Sequence, residues 1–390
     1  MKEHFETVII GGGVSGLSCA RRLHAGSRSF VVVTDRLGGR MYHSADGEMN
    51  FGATYISEDY ENISQFVGRG IPFRLHEVYT ENNGKLTTFF DLRNARDALP
   101  FARLALRLQE LRRTLRRFRK EAEHVSAAEL LPRFPLMERY ANQSSAELIR
   151  DLGLERLDQR YFRSSFFATC FADPALSNAL FYLGTLFPLV TSTWVGDFTH
   201  TYDRLTEGFA DQIEIDKVTS LDRTDGGGWA VHMAGGATYL AKNVVLGIPY
   251  HNAEKLYAVP EPYLATSATV LYVRGERHPK YRDKRLMLFH PETSGVALIW
   301  QQATGCDLLF SMRPEPDLSS YYLAPEVLKT VTWKTAVVIS NANWLPLNLE
   351  PNLYLVGDYN LCGLEDSFIS GMCAANHILT SKPAILKVAG

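Results

Sequence analysis

The stretch VIIGGGVSGLS at residues 8–18 limits the fold more than any other part of the sequence. Val8, Ile9 and Ile10 form a short apolar β-run, and Gly11, Gly13 and Gly16 follow in GxGxxG spacing. Residues 17–25 then place Leu17, Ala20 and Leu23 on one face of a helix. SFVVVT at 29–34 supplies a second strand, so strand, glycine turn, helix and strand stand in the order of a dinucleotide-binding unit. In such a unit Gly11 permits the tight turn, Gly13 lets a pyrophosphate approach the backbone, and Gly16 lets helix and strand pack closely. Val14 and Ser15 lie between these glycines, where the helix N-terminus offers free amides to the phosphate.

An acidic residue that accepts the ribose hydroxyls belongs about 20 residues beyond the glycines. Thr34 occupies that position and Asp35 comes next. Either Asp35 takes the hydroxyls from a shifted register or Thr34 makes a weaker bond; Asp35 is the favoured of the two.

A chain of 390 residues exceeds one compact core and implies two domains. Its net charge of −2 gives no global pull toward nucleic acid or anionic membrane. Cys19, Cys170, Cys306, Cys362 and Cys373 form no CxxC pair, which argues for a reducing compartment and against a disulfide framework or a cysteine-based metal site. With the nucleotide motif beginning at residue 8, the expectation is a cytoplasmic protein with no targeting segment ahead of it.

Gly38, Gly39 and Arg40 follow the second strand in the segment DRLGGR. Two glycines let a backbone run beside a cofactor, and a guanidinium fork can grip pyrophosphate oxygens. This segment resembles the flavin amine oxidase superfamily, which includes monoamine oxidases, protoporphyrinogen oxidase and phytoene-type desaturases. MNFGATYIS at 49–57 is similar to the part of these proteins that passes close to the flavin, with Gly52, Ala53, Thr54 and Tyr55 matching. IEIDKVTSLDR at 213–223 resembles the strand whose valine, here Val218, holds the adenine edge through its backbone. AKNVVLGIP at 241–249 resembles the buried strand that leads out of the cofactor domain. PNLYLVGDYNLCGLEDSFISGMCAANHI at 351–378 resembles the C-terminal flavin motif, in which Gly357 and Asp358 end a strand, Asp358 faces the ribityl chain, and a helix N-terminus points at the ring. A helix end there can stabilise negative charge on a reduced flavin.

The resemblance implies an α/β protein: a discontinuous Rossmann-like FAD-binding domain (1–58, 203–250 and 345–390) with an inserted α+β substrate-binding domain (59–202 and 251–344). It further implies an FAD-dependent oxidoreductase that moves a hydride from a substrate C–H to flavin N5. Tyr55, Trp333, Tyr359 and Phe368 are pocket candidates, with Phe368 also facing the cofactor; none has the sequence context of a named acid or base. Monoamine oxidases carry a lysine near N5 on the strand that matches LATSATVLYV at 264–273, where this chain has none. No cysteine falls between Asp307 and Leu361, where some relatives attach flavin covalently, so a dissociable FAD is expected. Glu365 and Asp366 replace part of the usual helix-start motif and would cap that helix.

No second strand–GxGxxG–helix unit occurs, and Gly226, Gly227 and Gly228 read as a hairpin turn. Electrons from the flavin would then pass to oxygen, a quinone or a second substrate. Residues 101–120 place Leu104, Leu108, Leu111, Leu115 and Phe118 in one helical stripe, with seven arginines and one lysine against Glu110 elsewhere. A surface helix with a solvated basic face explains this pattern; a helix seated on anionic lipid is the alternative. From Ser164 to Gly196 the only charge is Asp173. The segment reads as a buried helix pair whose Phe166, Phe167, Phe181 and Phe187 wall an apolar pocket. A small, largely apolar substrate is the leading expectation, with an amine or amino acid as the rival. A redox-inert FAD-binding partner is the alternative of another class.

Overall fold

The computed structural model describes residues 2–44, 49–82, 84–91, 96–290 and 295–381. The chain opens with β1 (Lys2–Gly12), α1 (Val14–Ala25) and β2 (Phe30–Leu37), followed by the short strands β3 (Tyr55–Ser57), β4 (Gly68–Pro72), β5 (Val78–Asn82) and β6 (Lys85–Thr88). A helical block comes next: α2 (Ala98–Ala122), α3 (Ala127–Leu130), α4 (Pro135–Asn142), α5 (Ser145–Leu152), α6 (Glu155–Leu157), α7 (Arg163–Cys170) and α8 (Ala179–Thr185). Then come β7 (Thr193–Asp197), α9 (Thr201–Thr206), β8 (Ile213–Ile215), β9 (Val218–Arg223), β10 (Trp229–Met233), β11 (Thr238–Leu246) and α10 (Tyr250–Leu256). The chain ends through β12 (Leu264–Arg274), β13 (Leu286–Leu288), β14 (Val296–Gln301), β15 (Asp307–Ser311), β16 (Glu326–Ile339), β17 (Asn348–Glu350), β18 (Leu353–Leu355) and α11 (Leu364–Thr380).

An eight-stranded sheet runs β17-β18-β11-β1-β2-β8, with β9 and β10 added beside β11. Its central pairs β11–β1, β1–β2, β2–β8 and β11–β18 are parallel. Both faces are covered, which is why VII and VVV read as continuous apolar runs. Ile9, Val32 and Val245 pack under α1 and α11, while Val8, Ile10, Val31, Val33, Val244 and Leu246 face the β9–β10 hairpin. The helix pair fits because Gly371 of α11 lies against Ser15 of α1; a Cβ there would stand 2.0 Å from the Ser15 carbonyl oxygen.

The second sheet, β16-β12-β15-β14-β13-β5-β6, is largely antiparallel, and β3, β7 and β4 form a third. Leu104, Leu108, Leu111, Leu115 and Phe118 of α2 are buried in the core of the helical block, as their spacing predicts. Gly227, at φ +76°, turns the β9–β10 hairpin. Two expectations are corrected. The stretch 213–223 is not one strand: it bends at Asp216 and Lys217, so β8 joins β2 while β9 joins β10. Helix α1 begins at Val14, three residues before the apolar periodicity becomes visible. Among the described residues no helix is long and apolar enough to cross a membrane.

Candidate active site

The C-terminal ends of β1, β2 and β11 open onto a cavity of about 1000 Å³, at the top of the range usual for ligand pockets. Gly11, at φ +113°, turns the chain where a Cβ would strike the Gly247 carbonyl oxygen at 2.4 Å. Gly39 lies so close over Gly13 that its Cβ would meet the Gly13 Cα at 3.3 Å. Helix α1 has neither a capping side chain nor an acid in its first turn, so its leading amides are free for an anion. Val14, Ser15, Gly38, Gly52, Ala53, Thr54, Val218 and Gly357 also line this cavity.

Thr34 and Asp35 both line it as well. The Thr34 hydroxyl is 5% exposed and donates to the Arg36 carbonyl at 2.7 Å, whereas Asp35 is exposed toward the opening. Arg40 spends its fork differently from a simple phosphate clamp. Its Nη1 donates to Asp358 Oδ2 at 2.7 Å and to the Ala336 carbonyl at 2.9 Å, and its Nη2 to Asp358 Oδ1 at 2.5 Å. Burial alone would discourage the Arg40 charge; the Asp358 carboxylate overcomes this and holds the guanidinium above its ordinary pKa. The residue assigned to phosphate and the residue assigned to ribityl are thus locked together.

Residues 14–337 match the sequence profile of flavin-containing amine oxidoreductases. The chain belongs to that family. A search of proteins of curated function finds no match. Among solved structures, a double mutant of putrescine oxidase, redesigned in its cofactor binding, aligns at 14% identity and TM-score 0.68, covering 98% of this chain and 100% of the other. Cyclohexylamine oxidase from Brevibacterium oxydans IH-35A aligns at 13% and 0.63, over 96% and 98%. A CLA-producing fatty acid isomerase from P. acnes aligns at 13% and 0.68, over 94% and 97%. At these identities the structural likeness bears on fold.

As a flavin-containing amine oxidoreductase the chain is an FAD-dependent oxidoreductase, and its cavity fits that cofactor. The glycine turn and free helix amides suit a diphosphate, and the backbones of Gly13 and Gly39 run close beside each other there. Gly16 lies outside the cavity and acts through packing: a Cβ there would stand 1.9 Å from the Gly11 oxygen. Phe368 is a correction. It is 5% exposed and stacks on Phe66 at 5.7 Å in the core beneath α11, so it faces neither cofactor nor substrate. Tyr55, Trp333 and Tyr359 do line the cavity. Tyr55 stacks on Trp300, Trp333 donates to the Phe51 carbonyl at 2.9 Å, and Tyr359 donates to the Ile248 carbonyl at 2.7 Å. Burial pushes the Tyr55 and Tyr359 phenols well above their usual pKa, which leaves them neutral wall residues.

The rest of the cavity extends into the helical block and the second sheet, along Phe73, Phe89, Phe171, Leu180, Phe181, Phe187, Leu298 and Phe310. Phe166 and Phe167 are buried outside it, so only Phe181 and Phe187 of the four expected aromatic residues form the wall. The acids at the start of α11 are a further correction, because neither caps that helix, whose N-cap is Gly363. Glu365 is 1% exposed and accepts from the amides of Glu61, Asn62 and Ile63 at 2.9–3.2 Å. Asp366 accepts from Arg119 of α2 at 2.7 and 2.9 Å. Asp59, 7% exposed, is held by Arg112 and Arg116 of the same helix. Part of the basic face of α2 is therefore turned inward against acids rather than solvated.

Sequence reasoning missed Lys334, Lys255 and His251, all on the cavity wall. The lysine sought on β12 is absent, but Lys334 sits on the neighbouring strand, one residue past the Ala268–Trp333 pair. The alternation around Trp333 was the only local signal.

Proposed function

We propose that this FAD-dependent oxidoreductase removes hydrogen from a C–H bond of a largely apolar substrate that carries no cation. One observation carries the reading: at the entrance to the apolar arm of the cavity the lining acids Asp59 and Asp366 are each satisfied by arginines. A diamine would need an unpaired carboxylate to replace its lost hydration, since burying an uncompensated charge is expensive. An apolar chain gains about 0.8 kcal/mol per methylene in the same space. The similarity to a fatty acid isomerase is consistent with such a substrate, whereas putrescine oxidase and cyclohexylamine oxidase support the rival amine reading.

FAD, held without a covalent bond, supplies the hydride acceptor. The chain contributes orientation and exclusion of water: the aromatic walls fix the substrate beside Tyr55, Trp333 and Tyr359, none of which changes protonation. Gly11, Gly13, Val14, Ser15, Gly38, Gly39, Gly52, Ala53, Thr54, Val218 and Gly357 would line the cofactor's path, with Asp35 placed to accept its ribose hydroxyls. Electrons leave to oxygen or a quinone. We assign 1–58, 203–250 and 345–390 to the cofactor domain and the remainder to the substrate domain.

A second reading concerns the outer face of α2, where Arg103, Arg113 and Arg117 are exposed beside Leu99 (62% exposed) and Leu106 (71%). This combination suits an anionic membrane surface reached from the cytoplasm. An anaerobic screen of amines, amino acids, fatty acids and isoprenoids, with and without anionic vesicles, tests both readings. The flavin should bleach with an apolar substrate. Rapid bleaching by a water-soluble primary amine would overturn the substrate reading, failure to bind vesicles the membrane reading, and a flavin that nothing bleaches would favour the redox-inert partner.

A further inference from the structure

We propose that Lys334 and Lys255, beside the imidazole of His251, form the cationic half of a diphosphate site near the glycine turn, and that FAD's own diphosphate fills it. The inference rests on FAD being the cofactor and not on the substrate reading. Three observations converge. First, the Arg40 charge is already answered by the Asp358 carboxylate at 2.5 and 2.7 Å, so its fork brings little net positive charge to an incoming dianion. Second, Lys334 and Lys255 both line the cavity, and neither has a carboxylate partner among the described residues.

Third, the backbone gathers these groups at one place. His251 Nδ1 lies 2.8 Å from Thr335 Oγ1, and Arg40 binds the carbonyl of Ala336, the next residue. Lys255 stands one turn beyond His251 on α10. That helix begins three residues after Gly247, which packs directly on Gly11 and Gly16. The cluster therefore stands beside the glycine turn and the open end of α1. Burial, then Lys255 and Lys334, disfavour the charged form of His251, and Glu254 opposes them. Among the described residues neither lysine pairs with an acid, the neighbouring Glu254 included. Lysine ammoniums on flexible stems suit phosphate oxygens as point charges. A phosphorylated substrate offers the same chemistry, so the test must separate the two sources.

The test uses holoenzyme, with FAD release followed by flavin fluorescence on dilution across a salt series. Lys334→Ala with Lys255→Ala should weaken FAD retention by about a hundredfold or more, the product of two charged contacts of about tenfold each. The double variant should also flatten the salt dependence. Lys334→Arg with Lys255→Arg should restore both. At saturating FAD the melting temperature should match wild type, which separates lost binding from lost folding; should the pair fold poorly, Lys255→Gln alone, on an exposed side chain, carries the same expectation at smaller size. Inorganic pyrophosphate should displace FAD from the wild type and not bind alongside it. Unchanged retention and salt dependence would overturn the proposal. So would lysine-dependent binding of pyrophosphate to holoenzyme with FAD still in place, which would give the site to a substrate phosphate.

Discussion

The two ends of the cavity are built by opposite means. At the cofactor end the wall is backbone: Gly11, Gly13, Gly38 and Gly39 bring main chain to the surface, and a Cβ on Gly11 would strike the Gly247 carbonyl oxygen while one on Gly38 would strike the Tyr202 ring. At the far end the wall is side chain: Phe89, Phe181, Phe187, Leu298 and Phe310 arrive from the helical block and the second sheet. Between the two ends lies a seam of ion pairs, in which Arg112, Arg116 and Arg119 of α2 hold Asp59 and Asp366. A backbone wall can serve only the ligand it was shaped for. A side-chain wall can change its ligand by substitution without disturbing the cofactor.

That contrast can be broken most severely at Gly16. Gly16→Val places a branched side chain 1.9 Å from a backbone oxygen at its first carbon. The cost should be at least about 3 kcal/mol, seen as loss of soluble yield and of flavin absorbance at once. Retention of a yellow, stable protein would show that α1 can move off β1, and the backbone wall would not be rigid. At the seam, Asp366→Ala leaves Arg119, whose side chain is 12% exposed, without its partner. Denaturant titration should show a loss of about 3–5 kcal/mol, and replacing the pair together by Arg119→Met and Asp366→Leu should recover most of it.

Smaller effects sharpen the comparison. Arg40→Ala strands Asp358, whose side chain is 9% exposed, and should weaken FAD retention by about 30-fold, or roughly 2 kcal/mol. Phe187→Ala should leave FAD retention unchanged and weaken an apolar substrate by about tenfold, within the value of one large buried side chain. If Phe187→Ala instead releases flavin, the two ends of the cavity are not independent. Asp35→Ala, at an exposed position, should cost the least, about threefold in FAD retention by the same fluorescence assay.

The glycine positions were legible in the sequence because each need is local: a missing Cβ at a fixed distance from a strand specifies a turn and a close approach. The buried stripe of α2 was legible for a similar reason, since a repeat of 3.6 residues fixes a face. Phe368 was misread because its alignment to a flavin motif says where the helix lies and not which way the ring points. It points into the core, onto Phe66. Glu365 was misread because an acid at a helix start satisfies the local rule for a cap. Its carboxylate instead meets the amides of residues 61–63, which only the folded chain brings within reach.

By itself, then, the sequence determined the parallel βαβ start, the hairpin at Gly227, the return strand β11 and the strand–helix pair that closes the cofactor end, because each rests on short-range periodicity or on glycine. Tertiary structure alone decided how the charges were spent. Arg40 met Asp358, Arg119 met Asp366, and Lys334 and Lys255 came to stand beside His251, neither lysine paired with an acid among the described residues. Coulomb and desolvation energies depend on separation in space and on burial, and neither quantity is carried by separation along the chain.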